Sequence, residues 1–329
     1  MEKQTYSHSG GIIVLLLFQI LFFLGHVLAH GAKLDWTQIY SYSDSLDTAY
    51  LFLMYLLCRV GSIGYLIGLG YFGIKEPSKT LVLFLTSSFF YSLFTKIYFG
   101  DFSIGSILVQ TISFFHTGPL ILAIILYPIL SQLKYSRLKK EVIVLLFIAT
   151  IYYFGVRLVL NMNDHTVDIN ILYFLLGIIL SNYGQKIKGR VRILALISTA
   201  FMIMGGYLLP NGLIHFIANY NNILYVMVAM SLCLEASEWF KKKGKLISFI
   251  EAEVGLPYIG LYLLTDNLMF IKYGYPSFLS LFLDSCMLGF IYCIAFIVVA
   301  SIVHRFISII LSKTYDLTID KFILNKMSA

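Results

Sequence analysis

The chain has 329 residues, of which 59% are hydrophobic and 12% charged, with a formal net charge of +7; its mean hydropathy is +0.84. Ordinary soluble domains carry about 25% charge, and a chain this poor in charge cannot coat a water-exposed globule. The composition excludes a cytosolic enzyme, a secreted domain and a disordered chain, and leaves a polytopic membrane protein.

A spanning helix needs about 20 mostly apolar residues. In chain order the sequence predicts ten such segments, at 11–30, 49–74, 79–99, 106–133, 141–161, 169–185, 192–209, 222–239, 256–273 and 281–311; the fourth and the last are over-long, which suits an interfacial or re-entrant piece at their start. The fold expected is all-α, a single bundle of about ten transmembrane helices over residues 1–329 with both termini cytoplasmic. The first segment lacks a small-residue cleavage site and reads as a retained span. No internal repeat and no soluble domain is visible.

The basic residues test the count. With the N-terminus inside, inner segments hold Lys3, Lys75, Lys79, Lys134, Arg137, Lys139, Lys140, Lys186, Lys188, Arg190, Arg192, Lys241, Lys242, Lys243, Lys245, Arg305, Lys313, Lys321 and Lys326, nineteen of the 24 Lys and Arg. Outer segments hold Lys33, Lys96 and Lys272. That asymmetry is the positive-inside signature. Short basic clusters between apolar spans speak for lipid contact and against nucleic acid as a partner. Cys58, Cys233, Cys286 and Cys293 lie in apolar segments without ligand spacing, so no metal is expected.

Charge within a bilayer is costly, and such residues mark function by default. The predicted spans contain His26, His30, Arg59, His116, Arg157, Asp266 and Asp284. In the ten-span topology all seven fall in the outer half. A polar cavity opening to the extracytoplasmic side is the expectation. Gln19, His26 and His30 are seven and four residues apart and share one helix face. The segment from Asp35 to Asp47 mixes Trp36, Tyr40 and Tyr42 with carboxylates, which suits either a sugar surface or an interfacial belt.

The stretch Arg59-Val60-Gly61-Ser62-Ile63-Gly64 running to Gly70-Tyr71-Phe72 resembles the second-helix segment of the membrane acyltransferase family 3. His116-Thr117-Gly118-Pro119-Leu120 with Leu126-Tyr127-Pro128, Tyr173-Phe174-Leu175-Leu176-Gly177, and Gly260-Leu261-Tyr262-Leu263-Leu264 resemble later family segments in the same order. The resemblance covers most of the chain and implies transfer of acetyl from cytoplasmic acetyl-CoA to a hydroxyl of a cell-surface polysaccharide or its lipid-linked precursor, in a bacterial cytoplasmic membrane. It implies His26 as the catalytic base, Arg59 as an electrostatic group and His116 as a second catalytic residue. His30, Arg157, Tyr262, Asp266 and Asp284 are the expected cavity-lining residues. The chain departs from the family pattern at Leu15, where the signature Arg before the histidine belongs, and at Thr265, where the last segment ends in His. Those departures keep open a non-catalytic relative acting in polysaccharide export or assembly; the charged residues Arg59, Arg157, Asp266 and Asp284 keep open an unrelated secondary transporter or glycan polymerase.

Overall fold

Glycine spacing decides how the first helices meet. Gly61, Gly64 and Gly68 fall on one face of a helix, and small residues at that spacing let backbones approach closely. The computed structural model describes residues 9–28, 46–74, 77–98, 105, 117–132, 167–208, 223–239 and 274–317. In it α1 (Ser9–His26) lies antiparallel against α2 (Leu46–Phe72). A methyl group on Gly61 would run into the backbone of Phe18 and Phe22, and one on Gly68 would meet Leu15. Then come α3 (Pro77–Tyr98), α4 (Thr117–Gln132), α5 (Val167–Leu208), α6 (Ile223–Trp239), α7 (Tyr275–Asp284) and α8 (Cys286–Tyr315). Among the described residues all regular structure is helical.

The opposite side of α2 meets α5 through a reciprocal pair of glycines. Gly70 lies against the Phe174 carbonyl, and Gly177 against the Ile67 carbonyl. α2 is thus clamped from two sides, and Val60, Ile63, Ile67, Tyr173 and Phe174 are buried in the core it shares with α5 and α6. The helix ends at Gly73, whose φ of 85° is open to glycine and strained for other residues. A second, smaller core joins Phe23 and Val27 of α1 to Tyr275 of α7 and to Cys293 and Ile297 of α8.

Two predicted boundaries change. The spans expected at 169–185 and 192–209 are one uninterrupted helix, α5, of 42 residues. The stretch between them, Lys186-Ile187-Lys188-Gly189-Arg190-Val191, contains no proline, and Lys and Arg propagate helix well. At 1.5 Å per residue α5 is about 63 Å long, roughly twice a hydrocarbon core. Its four basic residues form a band around a continuous rod instead of a connecting loop. The last predicted span is instead divided. Ser285 adopts an extended conformation between α7 and α8, and its side chain caps α8 by accepting from Leu288 N at 3.5 Å.

Among the described residues one helix, Met287–Tyr315, is long and apolar enough to cross a bilayer. Its outward face carries Leu288, Ile291, Val299, Val303, Phe306 and Ile310, all exposed. Shorter apolar helices run over Ile13–His26 and Ile223–Ala236.

The glycine contacts give a direct test. Gly177→Val forces α5 away from the Ile67 carbonyl and costs about 1–3 kcal/mol or more, as overpacking does. At Gly189 the space is open: an added methyl group meets nothing within 4 Å. Gly189→Ala therefore stabilises α5 by about 0.5–1 kcal/mol. Thermal unfolding of the purified protein in detergent reads both, with melting temperatures moving in opposite directions.

Candidate functional site

His26 closes α1. Its Nδ1 lies 3.0 Å from the Phe22 carbonyl oxygen, one turn back. A carbonyl only accepts, so Nδ1 carries the proton and, in the neutral ring, Nε2 carries the lone pair. Phe22 packs on the imidazole at 3.9 Å between ring centroids, and Tyr275 of α7 stands 5.8 Å away. The helix then widens into a π-type turn at Val27 and Leu28, a local geometry frequent at functional sites. His26 itself is half-buried. The surrounding sequence is aromatic and apolar, so packing and the helix backbone together fix the orientation of the ring.

Seven residues earlier on α1 lies Gln19, with 0% of its surface exposed. Neither its Nε2 nor its Oε1 makes a hydrogen bond. An amide buried in that state is costly. Seven residues are close to two helical turns, so Gln19 and His26 lie on nearly the same line along α1.

The antiparallel pairing sets Arg59 within about one turn of the depth of His26. Gly61, however, is the residue that faces α1, and two residues are about 200° of helical rotation. Arg59 therefore projects away from α1, half-buried, with its carbonyl accepting from the Ser62 hydroxyl at 3.2 Å. The structure brings His26 and Tyr275 together. Asp284 is the last residue of α7, immediately before the break at Ser285. His30, His116, Arg157, Tyr262 and Asp266 lie outside the described residues. Among the described residues no group of three His, Cys, Asp or Glu could hold a metal ion.

The structure adds two polar clusters outside the expected site residues. On α6, Glu235 draws in the α5 band: Arg192 Nη2 and Nε sit 2.6 and 2.8 Å from Oε1, and Lys188 Nζ 3.2 Å from Oε2. In sequence both cations read as topology signals, and nothing there links them to the acid. Between α3 and α8, Tyr91 and His304 meet at 2.6 Å. His304 stands beside Arg305, an inner charge in the ten-span topology, and α8 continues past both. A polar spacing of three and four residues, Ser301, His304 and Ser308, is the sequence signal that points to it.

The α5–α6 cluster has a measurable weight. Lys188 and Glu235 side chains are 12% and 10% exposed, whereas Arg192 is 55% exposed and contributes little. Glu235→Ala leaves the Lys188 ammonium without its carboxylate and lowers stability by about 1–3 kcal/mol. Adding Lys188→Ala to that variant recovers part of the loss, and additive destabilisation in thermal unfolding would show that the pair is not coupled. No protein-family model, no curated protein and no solved structure matches this chain.

Proposed function

We propose that the chain is a polytopic helical protein of the cell membrane and that it works as an O-acyltransferase. Its substrates in this reading are acetyl-CoA and a hydroxyl of a cell-surface polysaccharide or lipid-linked glycan. The observation that supports it most is the state of His26. An imidazole with Nδ1–H fixed on the Phe22 carbonyl presents Nε2 as a proton acceptor, which is the form a general base needs. The apolar exposed face of α8 and the low charge of the chain support the membrane setting.

A sugar hydroxyl is a weak nucleophile at neutral pH. Nε2 removes its proton as the oxygen attacks the thioester carbonyl. The new C–O bond forms, the C–S bond breaks, and the proton ends on the departing thiolate. The Phe22 carbonyl, hydrogen-bonded to Nδ1–H, stabilises the imidazolium that exists between these events. Positioned proton transfer of this kind contributes about 10²- to 10⁴-fold.

The second reading is a relative that binds glycan for export or assembly without acyl transfer. It is favoured by the orientation of Arg59 away from α1 and by the uncharged Gln19 and Leu15 on the histidine helix. A transporter or polymerase is the third reading, resting only on charged residues within the spans.

Proton NMR of purified surface polysaccharide separates them. Wild-type cells show O-acetyl signals; a deletion strain and a His26→Ala strain with normal protein level lose them. Persistence of the signals in both mutants overturns the acyltransferase reading. Loss in the deletion alone removes His26 from its role as base.

A further inference from the structure

The joint between α3 and α8 is polar along most of its length. At one end Lys79 Nζ meets Asp316 Oδ1 at 2.7 Å, with Asp316 half exposed, and the ammonium stands over the Tyr315 ring at 5.9 Å. Twelve residues on from Lys79 lies Tyr91; twelve residues back from Asp316 lies His304. The helices run antiparallel in one register, so the Tyr91–His304 contact is about 18 Å from the charged end. His304 is 4% exposed. Tyr91 Oη sits 2.6 Å from its Nδ1, and Ser308 Oγ 3.1 Å from its Nε2. Both ring nitrogens are thus engaged by hydroxyls, each able to donate or accept.

The polar line continues in both directions. Ser312 follows Ser308 on α8 at the same spacing, between it and Asp316. Ser301 lies three residues before His304, and Ser87 one turn before Tyr91 on α3. Ser301 and Ser87 are 0% and 1% exposed, and neither hydroxyl makes a hydrogen bond. Elsewhere in these helices hydroxyls bond the carbonyl one turn back, as Thr86 does to Val82 and Thr314 to Ile310. Two buried hydroxyls without that bond, flanking a histidine whose two nitrogens face hydroxyls, point to transient partners in the seam.

We propose that the α3–α8 seam is a proton-relay site, in which protons from water at the Lys79–Asp316 end reach His304 through Ser308 and pass on to Tyr91. The step balances as a hop. Ser308 gives its hydroxyl proton to Nε2 as it takes one from a hydronium ion, which becomes water. The imidazolium gives its Nδ1 proton to Tyr91 Oη, whose own proton passes to a water molecule beyond it, which becomes hydronium. The ring is left neutral with the proton on the other nitrogen, and a reverse hop or ring turn resets it. Chains of His and hydroxyl groups within a membrane serve this purpose in pumps and transporters. Arg305 is the neighbouring charge on α8. From α1 and α7, the other helices against α8, the titratable groups are His26 and Tyr275, which gather at the Phe23–Phe296 end about two turns away, and Asp284 at the far end of α7, twenty residues before His304 in sequence.

The test uses the full chain in nanodiscs of zwitterionic and anionic phospholipid, with 15N-labelled histidine. His304 ring signals are identified by their loss in His304→Gln. The relay predicts that the buried ring N–H exchanges with water within seconds, that Ser308→Ala slows this at least tenfold, and that Ser308→Thr, which keeps the hydroxyl, restores it. A ring N–H protected for minutes or longer in the wild type overturns the proposal, as does wild-type exchange in Ser308→Ala. The readout does not involve acyl transfer, so its failure is separate from any failure of the His26 reading.

Discussion

Backbone approach at α2 is the constraint on which the described bundle depends. Gly61 admits the main chain of Phe18 and Phe22 from one side; Gly70 and Gly177 admit α5 from another. Association at such a joint rests on dispersion and close fit. Glycine faces supply that fit by letting whole backbones touch. The consequence reaches the site. Because α1 is pinned to α2 along its α2-facing line, its remaining faces are directed at α6, α7 and α8. Phe23 and Val27 enter the second core, and His26 is carried to Tyr275.

Helix content was legible in the sequence because it follows from local composition. Boundaries were less so, and for opposite reasons at two places. At 186–191 a basic run reads as a loop, since loops are where charge usually sits. Lys and Arg are also good helix formers, and with Glu235 on α6 to receive Lys188 and Arg192 the helix has no reason to stop. At Ser285 the excess length of the last predicted span already points to an extra piece, and Asp284 and Ser285 interrupt the apolar run. The position of the break shows in backbone angles and in the serine that caps the next helix.

The site was legible in residue type more than in geometry. His26 stands out as a histidine deep in an apolar segment, and its neighbours Phe22 and Phe23 determine its surroundings directly. Arg59 stands out equally. Whether it faces His26 depends on the phase of Gly61 relative to α1, which the spacing of two residues in fact encodes: residues two apart on a helix point to nearly opposite sides. Gly61 as the contact face and Arg59 as a partner of α1 cannot both hold. His304 is hidden by its neighbour, since Arg305 makes the position look like one more inner charge.

Depth along paired helices, not proximity in sequence, is what separates the two histidines. Phe23, three residues before His26, meets α8 at Phe296, while His304 lies two turns nearer the Lys79–Asp316 end. The intervening face of α8 carries Ile297 and then Ser301, the first apolar and the second a buried hydroxyl without a bond. Polar seams inside an apolar bundle persist only where each group is satisfied or where an unmet group serves a purpose. Thr86 and Thr314 show how simply a hydroxyl in these helices satisfies itself on its own backbone. Ser87 and Ser301 forgo that bond on either side of His304. The proposed relay gives those two unmet hydroxyls a role that packing alone does not.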